Sequence, residues 1–329
     1  MTGAARLTVG RAVGLVRAGG AERLDGRGLN ASWRVTHAGT PYAVKVHCEE
    51  RSSPAESRRI LRVDRALRTT PWYPPVLDLG WAPGPRPRLV VVRPFAPGAP
   101  SDDARRHIGA VVGVLAELVA RGRGVAVDEE LIGDYASPWL ADARAERALA
   151  GRLLTGEWRA LGRAVDAHLA ELIAAARRLT REEAVSVHHG DLHGRNLISD
   201  GGRALTVIDW DETGFSRRPA DAGKALWLSC RLARGDFALD RRAVVRFLGG
   251  LHERLGVPYA SACDLARLGA LWFLPRHGHV TLLGRGGADA ADTVTWYLGW
   301  VLRFWTRFRR NLEVVAGAAA DLAAGRGAP

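Results

Sequence analysis

In the first hundred residues, apolar positions fall in short alternating runs broken by glycine and proline, the pattern of strands rather than helices. The runs 31–36 and 42–47 predict two strands, joined by His37-Ala-Gly-Thr-Pro41, where Gly39 suits a hairpin turn. Over Pro54–Leu67 the period changes. Ile60, Val63 and Leu67 sit three and four residues apart, which predicts the single helix of this region, with Pro54 in its first turn. The runs 76–79 and 89–92 predict two further strands. Pro94, Pro97, Gly98 and Pro100 then punctuate the chain. The boundary between two lobes is placed there, with residues 1–97 forming a small β-rich lobe and 98–329 a larger, mainly helical one.

Beyond residue 100 helical spacing dominates, over 108–119, over 139–179 and from Ala220 onward. Short β-prone runs return at 185–187 and 205–208, on either side of a loop rich in Gly and His. Trp296, Trp300 and Phe304 recur every four residues and predict a buried helix stripe.

Composition narrows the class. The 329 residues are 47% hydrophobic and 25% charged, enough for a sizeable core or for two lobes sharing a cleft. No apolar run reaches the length of a membrane span, and residues 1–20 are interrupted by Arg6, Arg11 and Arg17, unlike a secretory signal. Cys48, Cys230 and Cys263 are scattered, lack metal-ligand spacing and read as reduced thiols, so a cytoplasmic location is expected. The net charge of +12 is carried almost wholly by arginine, with no basic run interleaved with aromatics, so neither nucleic acid nor a membrane is expected as partner. Only two lysines occur, Lys45 and Lys224. In a chain that uses arginine almost everywhere else, a retained lysine points to a position needing a compact point charge rather than a planar fork.

The chemistry is concentrated in His188-His-Gly-Asp-Leu-His-Gly-Arg-Asn196 and in Val207-Ile-Asp-Trp-Asp-Glu212, with Asp209 closing an apolar run eighteen residues after Asp191. Phosphoryl transfer requires this set of groups. A carboxylate must orient the attacking hydroxyl and take its proton, a role that suits Asp191. Hard oxygen ligands must hold Mg²⁺ against the phosphates, which suits Asn196 and Asp209. His188, His189 and His193 offer no zinc-ligand spacing, and His189 and His193 read as braces of the loop.

Upstream, Tyr42-Ala-Val-Lys-Val46 places Lys45 on a strand, in the manner of the strand lysine that meets the α- and β-phosphates of a nucleotide. Glu56, at the start of the next helix, is either its ion-pair partner or a residue favoured there by the helix dipole. In Gly26-Arg-Gly-Leu-Asn-Ala-Ser32, Gly26 and Gly28 would let backbone N–H groups approach phosphate oxygens beside Asn30 and Ser32, although such a turn is often only a turn. It is the ordered combination of these pieces that predicts a kinase.

His189-Gly-Asp-Leu-His-Gly-Arg-Asn196 with Ile208-Asp-Trp-Asp211 resembles the aminoglycoside phosphotransferase and choline kinase family, from the glycine turn near Gly26 to Asp221. The resemblance implies a two-lobed, protein-kinase-like α/β fold and ATP or GTP as phosphoryl donor with Mg²⁺. It implies a structural role for Asp221, and adenine held by the carbonyl of Pro94 and the N–H of Ala96. A Ser/Thr protein kinase fits poorly, because nine residues between Asp209 and Pro219 leave no room for an activation segment. A nucleotide-binding pseudokinase fits poorly too, because Lys45, Asp191, Asn196 and Asp209 are all present. For the acceptor, the resemblance implies an aminoglycoside, an aminocyclitol or another glycosylated antibiotic, with choline, homoserine and sugars as alternatives. Asp128, Glu129, Glu130, Asp134, Asp211 and Glu212 are candidates for an acidic pocket, Asp211 and Glu212 being nearest the motif. Arg303, Arg307 and Arg310 share one helical face, either solvated or turned to an anionic or neutral glycoside.

Overall fold

The computed structural model describes residues 6–24, 30–100, 104–181, 184–199, 205–233, 235–284 and 290–326. Gly26 and Gly28 lie outside the described residues. The chain forms two compact units, Met1–Ala99 with Ile198–Ile208, and Pro100–Leu197 with Asp209–Pro329.

The first unit is built on an antiparallel sheet of β1 (Ala21–Arg23), β2 (Ala31–His37), β3 (Thr40–Val46), β4 (Asp78–Ala82) and β5 (Arg88–Pro94), in the spatial order β1-β2-β3-β5-β4. The β2–β3 turn is two residues long. His37 pairs with Thr40, while Ala38 and Gly39 both take positive φ, 48° and 78°, the turn conformation that matches strand twist. Helix α1 (Val9–Arg17) contributes Val9, Ala12 and Val13 to one core with Val35, Val44, Val90 and Val92. Helix α2 (Pro54–Leu67) contributes Ile60 to a second core with Val76, Leu89 and Val91. The sheet is therefore covered on both faces, which is why 89–92 reads as an unbroken apolar run rather than an alternating one.

Helix α1 was not expected from the sequence. It is nine residues long, its arginines are exposed, and its start is held both by Thr8, whose hydroxyl accepts the Arg11 N–H at 3.4 Å, and by a distant group, Asp78 Oδ2, which accepts the Val9 N–H at 2.7 Å. Helix α2 runs over the predicted residues. Ser53 Oγ accepts the Glu56 N–H at 3.1 Å, so Ser53-Pro-Ala-Glu56 starts the helix as a capping sequence. The strand expected at 76–79 begins two residues later, since the Val76 N–H is taken by the Asp64 carboxylate at 2.7 Å.

The second unit is largely helical: α3 (Ile108–Gly122), α4 (Ser137–Gly151), α5 (Arg159–Arg178), α6 (Ala220–Ser229), α7 (Arg241–Leu255), α8 (Ala262–Ala270), α9 (His277–Leu283) and α10 (Ala290–Ala323). The stretch read as helical over 139–179 is two helices, and α4 is itself interrupted at Asp142, where φ is −151°. A hairpin of Arg231–Ala233 and Asp236–Leu239 interrupts the predicted run of helices after Ala220. The tryptophan stripe also departs from expectation. Phe304 is fully buried, but Trp296 is 55% exposed. A step of four residues overshoots the 3.6-residue turn, so two steps carry a side chain well round the helix.

A short antiparallel pair, Ser186–His188 with Gly214–Ser216, frames the loop that carries the motif residues. Helix α3 lies against it so closely that a Cβ on Gly122 would be 2.5 Å from the Ser186 Cα. Among the described residues, no helix is long and apolar enough to cross a membrane.

Candidate active site

The loop after Ser186–His188 turns at Gly190, whose φ is +84°. A Cβ there would lie 2.3 Å from the Glu212 carbonyl oxygen, so only glycine allows the approach. The loop backbone is held from helix α6. Asp221, itself buried, accepts the His189 N–H at 2.5 Å and the Gly190 N–H at 2.7 Å. The Thr213 hydroxyl donates to the His188 carbonyl at 2.8 Å. His189 is fully buried, with its ring 4.4 Å from that of Trp210, and its Nδ1 accepts the Asp191 N–H at 3.2 Å. His193 Nδ1 accepts the Arg195 N–H at 3.1 Å and starts the 3-10 turn Gly194–Asn196.

That turn brings Asn196 back onto Asp191. The Asn196 Nδ2 donates to the Asp191 carbonyl at 2.8 Å and reaches Oδ2 at 3.3 Å. Oδ1 of Asp191 is 2.8 Å from Lys224 Nζ, and Oδ2 is 3.6 Å from His193 Nε2. Burial raises the Asp191 pKa, but the Lys224 charge and His193 outweigh it and hold the carboxyl well below the usual carboxylate range. The same contacts leave Asp191 placed as a hydrogen-bond acceptor.

Commitment of the Asn196 amide nitrogen to Asp191 leaves its amide oxygen as the atom that could bind a metal. Asp209 follows the strand Leu205–Val207 and takes a left-handed backbone, φ 66° and ψ 58°. An amide oxygen and a carboxylate are hard donors that fit Mg²⁺, which commonly takes one or two protein ligands and completes its shell with water and phosphate oxygens. Among the described residues, no group of three or more His, Cys, Asp or Glu is arranged to enclose a metal.

Lys224 was not among the residues singled out for this site. It is fully buried on α6 and ties together Asp191, the Gly190 carbonyl (2.6 Å) and Glu212 Oε2 (3.4 Å). The signal for it was present in the rarity of lysine. What it touches was hidden, because Glu212, Asp191 and Trp272 are far from it in sequence.

In the first unit, Lys45 sits in mid-β3, opposite Ser32 on β2 and Val91 on β5. Alternation along β3 turns Val44 to the α1 side and Lys45 to the α2 side. Glu56 accepts from Arg59 Nη2 through both carboxylate oxygens, at 2.6 and 2.5 Å. Asn30 is buried, and its Oδ1 accepts the Cys48 N–H at 2.8 Å, tying the start of β2 to the chain beyond β3. Pro94 ends β5, and Gly98 takes φ +109°, where a Cβ would lie 2.2 Å from the Ser199 carbonyl oxygen. The Phe95 N–H is donated to the Pro41 carbonyl at 3.4 Å, so in Pro94-Phe-Ala-Pro97 the remaining N–H is that of Ala96.

The candidate acidic pocket is altered by the structure. Asp134 is buried, accepting from Ser216 Oγ at 2.5 Å and from Arg218 Nε at 3.0 Å. Burial raises its pKa, but the Arg218 charge and the Ser216 hydrogen bond lower it to a net depression. Glu129 is paired with Arg217 at 2.5 Å. Asp211 lies in the 3-10 turn Trp210–Glu212 beside the motif. Arg303 is exposed and Arg307 lies 3.7 Å from Asp236, as on a solvated face.

The model of the phosphotransferase enzyme family matches residues 20–256, and the chain belongs to that family. It is an enzyme that transfers a phosphoryl group to a hydroxyl acceptor. Among solved structures, it is similar to a microcompartment-associated aminopropanol kinase, with 20% identity over 94% of this chain and 98% of that one and a TM-score of 0.66. It is similar to an ethanolamine kinase of Plasmodium vivax, with 12% identity, 89% and 84% coverage and a TM-score of 0.59. It is also similar to a thermostable mutant of the aminoglycoside phosphotransferase APH(4)-Ia bound to ADP and hygromycin B, with 16% identity, 87% and 93% coverage and a TM-score of 0.53. No curated protein matches the sequence. The small sheet unit and larger helical unit place the chain in the protein-kinase-like α/β fold class that it shares with these structures.

The clamp from Asp221 makes a definite prediction. In Asp221→Asn, one amide oxygen replaces two carboxylate oxygens, and an NH₂ group faces a backbone N–H. Stability should fall by roughly 1–3 kcal/mol, the cost of a buried unsatisfied donor, and phosphoryl transfer should fall with it. Urea unfolding checks the first expectation. An unchanged midpoint would show that the loop backbone is held by other contacts.

Proposed function

We propose that this enzyme transfers the γ-phosphoryl of ATP, with Mg²⁺, to a hydroxyl of a small alcohol that carries at most one positive charge. The single observation that carries the reading is Asp191, held between Lys224 and Asn196. In a loose transition state the nucleophile's proton leaves late, so orientation of the hydroxyl matters more than basicity. Asp191 accepts the hydrogen bond that aims the acceptor oxygen at the γ-phosphorus, and takes the proton as the new P–O bond forms. Asn196 and Asp209 would hold the metal, which supplies neutralisation of phosphate charge. Lys45 is assigned to the α- and β-phosphates. ATP as donor is supported by the ADP and AMP-PNP complexes of the aminoglycoside phosphotransferase.

Two classes of acceptor fit the motifs, polycationic antibiotics and small metabolic alcohols. A polycation needs carboxylates that remain uncompensated. Here Asp134 is paired with Arg218, Glu129 with Arg217 at the surface, and Glu212 shares Lys224 with Asp191. This charge balance favours a neutral or monocationic alcohol, such as an amino alcohol, choline, homoserine or a sugar, over an aminoglycoside. The test is ³¹P NMR of reactions containing MgATP or MgGTP with aminopropanol, ethanolamine, choline, homoserine, monosaccharides, spectinomycin and hygromycin B. A new phosphomonoester from a neutral or monocationic alcohol is expected. Turnover confined to the polycationic drugs would overturn the acceptor assignment.

Adenine is assigned to the Pro94 carbonyl and the Ala96 N–H. In Ala96→Pro that donor is deleted, and the ATP KM should rise about tenfold, the cost of one lost hydrogen bond and an unpaired base nitrogen. Steady-state kinetics on folded protein checks this. An unchanged KM would leave the base held by apolar contacts alone.

A further inference from the structure

Lys224 is one of two lysines among 47 lysines and arginines, and it is fully buried. A buried ammonium is costly unless every donor is satisfied. Its three N–H groups are matched by three oxygens, Asp191 Oδ1 at 2.8 Å, the Gly190 carbonyl at 2.6 Å and, more distantly, Glu212 Oε2 at 3.4 Å. The Trp272 ring also faces the ammonium, with its centroid 3.7 Å from Nζ. The backbone that carries Lys224 is equally constrained. All ten residues of α6 are buried, and α6 meets α8 so closely that a Cβ on Gly269 would lie 2.0 Å from the Gly223 carbonyl oxygen. The helix that carries Lys224 is thus tightly packed at this point.

This arrangement makes the two oxygens of Asp191 unequal. Oδ1 is held by a short charged contact. Among the described residues, Oδ2 has longer neighbours, Asn196 Nδ2 at 3.3 Å and His193 Nε2 at 3.6 Å. The Asp191 side chain is 27% exposed, so it is reachable from solvent. Resting on the kinase reading above, we propose that Lys224 is a positioning residue for phosphoryl transfer: it pins Asp191 Oδ1 so that Oδ2 meets the acceptor hydroxyl. An arginine would replace a tetrahedral point charge with a larger planar fork, which matches neither the directions of the three oxygens nor the space beneath the Trp272 ring. That accounts for the survival of a lysine at this position in an arginine-rich chain.

The alternative is that the ion pair serves folding alone, and a double-mutant cycle separates the two. ADP formation from MgATP is measured with water as acceptor and with the best alcohol from the panel above. The proteins are wild type, Lys224→Met, Asp191→Asn and the double variant, and thermal unfolding of each identifies the folded fraction. Lys224→Met should lose about a hundredfold or more in kcat, with an ATP KM within about threefold of wild type. In the Asp191→Asn background the same change should cost less than about threefold, because the group it positions is already gone. Lys224→Arg should not restore the rate. Near-wild-type kcat in folded Lys224→Met, or an equal loss in both backgrounds, would overturn the proposal. If Lys224→Met does not fold, Trp272→Leu keeps the lysine and removes its aromatic floor. It should lower kcat about tenfold at constant ATP KM, and an unchanged kcat would again overturn it. A wild-type protein that forms no ADP with any acceptor overturns the kinase reading itself. An active wild type with an inactive Asp191→Asn and an active Lys224→Met overturns only the role of Lys224.

Discussion

The site depends on two opposite charges projected from one turn of a buried helix. Asp221 and Lys224 are three residues apart on α6, so they share a face. The carboxylate takes the N–H groups of His189 and Gly190, and the ammonium takes the Gly190 carbonyl and the Asp191 side chain. Three consecutive loop residues are thus held from the helix as well as by the loop's own contacts. The close approach of Gly223 and Gly269 gives that element no room to move, so precision at Asp191 originates in helix–helix contact.

Much of this was legible in the sequence, for physical reasons that can be stated. Helix α2 carries its own start signal in Ser53 and Glu56 and its own period in Ile60, Val63 and Leu67, so local information sufficed. The spacing of Asp191 and Asn196 within one loop fixes how far they can separate, and the structure brings them into contact. Helix α1 is short and carries a local cap in Thr8, but its first N–H is taken by the distant carboxylate of Asp78, which the sequence does not show. Asp134 looked like an available surface acid, and only the fold shows Arg218 and Ser216 closing over it. For Glu56, two readings stood open, and its visible partner is Arg59 on the same helix. Lys224 falls between these cases. Its rarity was visible, but its role depends on Gly190, Asp191, Glu212 and Trp272 converging in space.

On the proposed reading, the charges around Asp191 also bear on which acceptor is taken. Lys224 is shared between the two carboxylates Asp191 and Glu212, and arginines pair with Asp134 and Glu129. The solved structures of similar fold include kinases of aminopropanol and ethanolamine and phosphotransferases of hygromycin B and spectinomycin. One scaffold therefore serves acceptors that differ widely in size and charge, and the local carboxylates, rather than the fold, must make the choice.

The central claim is that a fixed, ionised Asp191 aims an acceptor oxygen directly at the γ-phosphorus, with no covalent phosphoenzyme. The stereochemical course at phosphorus tests it most directly. With ATP made chiral at the γ-position by sulfur and oxygen isotopes, and the alcohol that the enzyme turns over as acceptor, a single in-line displacement predicts inversion of configuration. Retention would require two displacements through a phosphorylated side chain, and would contradict the account.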